Sequence, residues 1–163
     1  MHSTGIGTWT GDWAWSLPLI VLTVVIHVCG LAIIGERVVD ILGETVDRRR
    51  FMYKFAVVMA VTSLLATILH GTEAAIWAAA YRFLDALPNN RAAMLYSLSA
   101  MTSYGHANLF LNDRWQLMGA LEALNGMLLF GLTTAFLFAM IQRVWPIGSR
   151  EHHHDEKKRH SND

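Results

Sequence analysis

The chain has little charge, no excess of either sign and one cysteine. Only 16% of its 163 residues are charged, whereas a soluble domain typically carries about 25%, which argues against an ordinary soluble domain. Thirteen basic residues balance thirteen acidic ones, so we expect no nucleic-acid partner. The lone Cys29 excludes an intrachain disulfide, and its position in an apolar stretch predicts an inert, buried thiol.

Motifs of catalysis are also missing from the sequence. It contains no nucleophile next to a base, no phosphate-binding glycine loop and no four-ligand zinc pattern. We therefore predict that the protein is not an enzyme and holds no cofactor. No Lys or Arg precedes the first apolar run, so the charged start of a cleavable signal peptide is lacking and we expect that run to be retained.

Three apolar stretches dominate what is present. Residues 17–35, 55–81 and 116–142 hold 73 positions but only two of the 26 charges, Glu73 and Glu122. Stretches of this length cross a hydrocarbon core about 30 Å thick at about 1.5 Å per residue. The sequence predicts an all-α, multi-pass protein of the cell membrane, in contact with the lipid bilayer.

Basic residues predict its orientation. Arg48, Arg49, Arg50 and Lys54 lie in the loop 36–54, close to two membrane ends, and the tail 143–163 is also basic. By the positive-inside rule both segments are cytoplasmic, which puts the lead 1–16, with its three tryptophans at the interface, outside the cell. The domain between them, 17–142, is the transmembrane part.

The outer connection between the second and third spans is not an ordinary polar loop. After the turn signal Pro88-Asn89-Asn90 come about ten mostly apolar residues, too few to cross a bilayer, and then the polar run 102–106. Irregular backbone at membrane depth is tolerated only where it lines water or is buried in protein. We expect residues 90–106 to form a re-entrant helix followed by a returning loop.

This order of elements, with the glycine-containing third span, resembles the small bacterial members of the potassium-channel-like ion channel superfamily over residues 55–142. The resemblance implies a pore helix, a filter loop whose carbonyls replace the hydration shell of the ion, and four subunits around one pore. The family filter reads Thr-x-Gly-Tyr-Gly-Asp. Without gaps, Tyr104 and Gly105 match it, while Met101, Ser103 and His106 replace its threonine, first glycine and aspartate.

The filter predicted from this resemblance is therefore divergent and comprises Met101, Thr102, Ser103, Tyr104, Gly105 and His106. An alignment with a gap would place Thr102 at the threonine position and shorten the filter. A carbonyl ring needs backbone angles that glycine reaches easily and serine resists, so the substitution at Ser103 argues against potassium selectivity of the usual kind.

Polar residues of the third span form a second group of candidates. Glu122, Asn125 and Thr133 fall near one helix face, where they either line the pore or, for Glu122, hold down the loop by hydrogen bonds to it. Gly126 and Gly131 are either close-packing positions or a hinge for a gate.

Histidines supply the third group. His70 and Glu73, three residues apart, share a face of the second span. Three interpretations stay open: a local polar pair, a proton-linked element, or two ligands of a metal or haem. In the last case His27 or His106 would be the third ligand. Taken alone, His27 is expected to be a packing residue. The run His152–His154 is only a weak metal signal.

The function predicted from these features is passive conduction of a monovalent cation through a homotetrameric pore. Two alternatives stay open: a nonconducting membrane scaffold or regulatory subunit with the same fold, and a metal- or haem-binding membrane protein that uses His27, His70 and His106.

Overall fold

Four α-helices make up nearly all of the part of the chain that the structure describes. The computed structural model describes residues 5–43, 48–105 and 109–160, so the predicted filter residue His106 lies outside it. In chain order the helices are α1 (Gly5–Gly43), α2 (Arg48–Phe83), α3 (Asn90–Met101) and α4 (Gln116–His160), with a short 3₁₀ turn at Asp113–Trp115 before α4.

The three long helices confirm the prediction of a multi-pass membrane protein. Among the described residues, Trp9–Ile41, Met52–Phe83 and Asp113–Gln142 are long and apolar enough to cross a membrane. Each contains one of the predicted spans. Large parts of their surfaces are apolar and exposed, as at Val21 and Ile68, which suits contact with lipid.

The helices extend well beyond the predicted spans. The first predicted span starts at residue 17, whereas α1 begins at Gly5 and carries Pro18 inside it. Proline removes one backbone hydrogen bond and kinks or breaks many helices, yet this helix continues through it. Cys29 is exposed, so the prediction of a buried thiol was wrong: it lies on a face of α1 that the described part of the chain leaves uncovered.

The chain divides into two compact units. The first comprises residues 1–30 and Thr67–Leu132. Its main core packs the aromatic side chains of α2 against the start of α4 and the connection before it, and consists of Trp77, Ala78, Tyr81, Ala86, Leu87, Ala93, Leu111, Trp115 and Met118. This unit contains all of α3.

The position of α3 in this unit is set at its N-terminus. Asn89 has an extended backbone and its side chain accepts a hydrogen bond from the amide of Ala92 at 2.8 Å, which is the N-cap arrangement. Arg82 at the end of α2 donates to the side chain of Asn90 at 3.1 Å. The turn that the sequence predicted at residues 88–90 therefore starts a helix that is tied to α2.

The second unit comprises Leu31–Ala66 and Thr133–Asp163. Its buried centre is formed by Val38 and Met140, with Phe55 and Phe136 packed against them. Thr133, predicted beside Glu122 on the third span, belongs to this unit and is buried.

Candidate functional site

The carboxyl group of Glu122 joins three helices inside the first unit. The Tyr81 hydroxyl, from α2, donates to its Oε2 at 2.7 Å. The Ser97 hydroxyl, from α3, contacts its Oε1. All three side chains are fully buried. Because water does not reach them, the two hydroxyl groups are the hydrogen-bond partners of the carboxyl oxygens.

Ser97 also reaches the backbone of α2. Its Oγ lies 2.7 Å from the carbonyl oxygen of Ala74. A hydroxyl has one proton to donate, so it either shares that proton between Ala74 and Glu122 or receives a proton from a neutral Glu122 carboxyl. In both cases one serine fastens the middle of α3 to α2 and α4.

Gly126 provides the closest approach between α4 and α3. A Cβ at this position would overlap the backbone of Met101, at its oxygen, Cα and carbonyl carbon. Backbone atoms cannot swing aside as a side chain can, so the glycine is needed for the packing. A Cβ at Gly131 would meet nothing within 4 Å. Only the first of the two predicted hinge glycines is therefore in a close contact.

The backbone after α3 has a positive φ at two of its residues. Thr102 has φ −90° and ψ 0°, Ser103 has φ 55°, Tyr104 does not have a positive φ, and Gly105 has φ 71°. Ser103 therefore adopts the left-handed conformation that its side chain disfavours by about 1–2 kcal/mol. Serine resists this conformation, as noted for the sequence, yet Ser103 adopts it.

The amides of residues 102–105 all turn back to the end of α3. They donate as follows: Thr102 to Leu98 at 3.1 Å, Ser103 to Ala100 at 3.1 Å, and Tyr104 and Gly105 to Ser99 at 3.0 and 3.5 Å. The Ser103 and Tyr104 bonds form the Schellman motif that commonly ends a helix, here with serine in the usual glycine position.

This pattern determines where the carbonyl groups point. In a trans peptide the carbonyl of one residue points opposite to the amide of the next, and the peptide bonds of this segment are trans. Because the amides of 102–105 point to the end of α3, the carbonyls of Met101, Thr102, Ser103 and Tyr104 point away from it. Thr102 to Gly105 are exposed in the isolated chain, with Tyr104 at 82%.

The second candidate group brings two histidines to Glu73. His27 Nδ1, from α1, lies 2.8 Å from Glu73 Oε1, and His70 Nδ1, one turn before Glu73 on α2, lies 3.4 Å from Oε2. His27 and Glu73 are fully buried, and the His70 side chain is 26% exposed. His27 is thus a buried histidine whose ring is hydrogen-bonded to the acid of another helix.

Asn125 has a partner that the sequence did not indicate. Its amide donates to the Thr23 hydroxyl of α1 at 2.9 Å, and both side chains are buried. Asn125 therefore connects α4 to α1.

Tyr81 and Ser97 are the site residues that sequence reasoning did not single out. A signal for Tyr81 exists: Glu73, Trp77 and Tyr81 recur every four residues, so they share one face of α2, and all three are fully buried. Ser97 offers no comparable signal, because a serine in a short helix is unremarkable until its partners are known.

Outside the spanning helices, Tyr96 of α3 also borders this network. Its hydroxyl lies so close to Gly119 that a Cβ on that glycine would overlap it. Burial, and secondarily the charge of Glu122, raises the pKa of Tyr96 to about 12, so this phenol is a neutral hydrogen-bonding group at physiological pH.

Comparisons of the chain with protein-family models, with curated proteins and with solved structures gave no significant match. The function has to be argued from the geometry of these two groups.

Proposed function

We propose that the protein is a homotetrameric membrane pore that conducts monovalent cations passively, with Thr102–Gly105 of four chains lining the path. The observation that carries the proposal is the run of carbonyl groups at residues 102–104, in an exposed segment, that point away from the end of α3. Carbonyl oxygens that face a common axis can replace the hydration shell of a cation.

The hydrogen bonds of the loop amides support this role. The amides of 102–105 bond to the end of α3. The carbonyls thus remain available on the opposite side. Because Met101, Ser103 and His106 depart from the family filter, we propose a weakly selective path rather than a potassium-specific one.

A single chain cannot enclose such a path, which is why the proposal includes four copies. Exposed aromatic side chains support a further interface in this region: Tyr104 is 82% and Phe110 75% exposed in the isolated chain. In the arrangement that we propose, α3 is re-entrant from the outer side, the N-terminus is outside and the C-terminus is cytoplasmic, in accord with the basic segments. A protein that is strictly monomeric in lipid would refute the proposal.

In this pore Glu122 is a positioning residue. It is fully buried and bonded to Tyr81 and Ser97, so it acts on the path by holding α3 in place. A role through its charge, by a negative field on the ion, is the competing explanation. The two explanations predict different results for two substitutions of the same side chain.

The decisive experiment measures cation flux in proteoliposomes that contain Glu122→Gln or Glu122→Leu. Glutamine can still accept the Tyr81 hydrogen bond and donate to the Ser97 oxygen, so flux in Glu122→Gln should stay within about twofold of wild type. Leucine leaves both hydroxyls without this partner. The loss of about 1–3 kcal/mol of hydrogen bonding should lower flux in Glu122→Leu at least about tenfold. Ser63→Ala, which removes an exposed hydroxyl of α2, is the control for reconstitution.

Each outcome distinguishes the candidate functions. A large loss of flux in Glu122→Gln would show that the charge matters and would contradict the positioning role. Absence of flux in wild-type tetramers, tested with sodium, potassium and protons, would refute conduction and favour the nonconducting scaffold.

A further inference from the structure

His27, His70 and Glu73 converge in a way that the proposed pore does not require. They lie on two helices of the first unit, and one possible ligand atom from each falls within 4.8 Å of the others. The rings of the two histidines are 5.0 Å apart between centroids. Two imidazoles and one carboxylate thus share a space small enough for one ion.

One carboxylate oxygen of the cluster lacks a hydrogen-bond donor among the described residues. Glu73 is fully buried, and its Oε2 accepts no hydrogen bond from the described residues; its nearest basic atom there is His70 Nδ1 at 3.4 Å. A buried carboxylate oxygen of this kind is costly unless a cation or a donor compensates it. A cation bound between Glu73 and the two imidazoles would supply this compensation.

The donor set and its spacing suit a zinc-type ion. Zinc bonds imidazole nitrogen and carboxylate oxygen at about 2.0–2.2 Å in tetrahedral geometry, which places neighbouring ligand atoms about 3.4 Å apart. The separations of 2.8 and 3.4 Å between Glu73 oxygens and the two Nδ1 atoms, and the upper bound of 4.8 Å for the group, bracket this value. Small side-chain rotations would complete the geometry.

The site also has a route for exchange. His27 and Glu73 are fixed inside the unit, while the His70 side chain is partly exposed. An ion held by three protein ligands keeps a fourth position for water or another donor, and the exposed side of His70 is where that position would open.

We propose that His27, His70 and Glu73 form a binding site for one divalent transition-metal ion of the zinc class per chain. The site is distinct from Thr102–Gly105 and from Glu122. It does not depend on conduction, and it can be tested on protein that does not conduct.

The experiment measures metal uptake by the full-length protein in detergent. His152, His153, His154 and His160 are first changed to alanine in one background chain, because the histidine-rich tail could bind metal by itself. After treatment with chelator, the chain is titrated with Zn²⁺ in competition with a chromophoric chelator, and Co²⁺ is used as a second probe because its visible spectrum reports tetrahedral nitrogen and oxygen ligation.

In this background we expect one equivalent of Zn²⁺ and one tetrahedral Co²⁺ spectrum. His70→Ala and Glu73→Gln should each weaken Zn²⁺ at least about 100-fold, because the loss of a direct ligand exceeds the 10- to 100-fold effect of outer-shell changes. Both variants are mild: His70 is partly exposed, and glutamine keeps the shape of Glu73. Thr72→Ala, an exposed neighbour on α2, should retain wild-type affinity.

Three results would overturn the proposal: no stoichiometric uptake by the background chain, an octahedral Co²⁺ spectrum, or retained affinity in His70→Ala and Glu73→Gln. Melting curves of each variant without metal show that it is folded. Zinc should raise the melting temperature of the background chain and of Thr72→Ala, and should not raise that of Glu73→Gln.

Discussion

Substitution of the glycines of α4 by alanine gives the sharpest test of how α3 is held. A Cβ at Gly126 would meet the backbone of Met101, a Cβ at Gly119 would meet the end of the Tyr96 side chain and Leu111, and one at Gly131 would meet nothing within 4 Å. The three positions lie on one helix and differ in what surrounds them. They form a matched series for the steric term alone.

The magnitude follows from two opposing effects. Replacing a helical glycine by alanine stabilises a helix by about 1 kcal/mol, and this gain is common to the three positions. Overpacking in a tight contact costs about 1–3 kcal/mol, and that cost applies in full at Gly126, where only backbone can move, and partly at Gly119, where Tyr96 can rotate. At roughly 3 °C per kcal/mol, Gly126→Ala should melt about 3–9 °C below Gly131→Ala, with Gly119→Ala between them.

The assay is thermal unfolding in detergent, followed by the fluorescence of the six tryptophans, together with cation flux in liposomes. In the proposed pore, Gly126→Ala displaces Met101 and with it the segment Thr102–Gly105, so flux falls, while Gly131→Ala conducts as wild type. Equal melting temperatures for the two variants would refute the packing argument. Equal loss of flux in both would instead support the hinge that the sequence suggested.

Two further predictions concern hydrogen bonding and backbone strain. Tyr81→Phe should lower the unfolding free energy by about 1–3 kcal/mol, because it leaves a buried oxygen of Glu122 without its donor. Tyr53→Phe, at a side chain that is 74% exposed, should have no effect in the same melting assay. Equal shifts of the melting temperature in the two variants would contradict the reasoning. Ser103→Gly should raise the unfolding free energy by up to about 1 kcal/mol, because relief of the left-handed strain exceeds the entropy that glycine loses. Ser103→Val should lower the unfolding free energy. A melting temperature of the glycine variant below that of wild type would be inconsistent with the φ of 55° at Ser103.

The membrane spans could be predicted from sequence, and the ends of the helices could not. Apolar length reports where lipid contact is possible, so the spans 17–35, 55–81 and 116–142 all lie inside observed helices. Helix formation follows different rules, since Glu, Lys and Arg are good helix formers in water. The charged tail therefore continues α4 to His160, although hydropathy ends the span near residue 142.

Within the candidate sites, the sequence predicted only those pairs of residues that lie on the same helix. Position in an apolar span marked Glu73 and Glu122 as exceptional, and the three-residue spacing paired His70 with Glu73. The contact of His27 with Glu73 joins residues 46 positions apart, and that of Tyr81 with Glu122 joins residues 41 apart. Such pairs depend on how helices pack, which periodicity within one helix does not specify.

The two acids within the spans have different surroundings, and this difference separates structure from function. Both side chains are fully buried. Glu122 has a hydroxyl partner for each oxygen, so its burial is compensated within the chain and it holds helices together. Glu73 has a hydrogen-bond partner for Oε1 only among the described residues, with His70 Nδ1 3.4 Å from its Oε2. Since a buried carboxylate oxygen without a hydrogen bond lowers stability, the metal ion that we propose between Glu73 and the two histidines would supply the partner that this oxygen lacks.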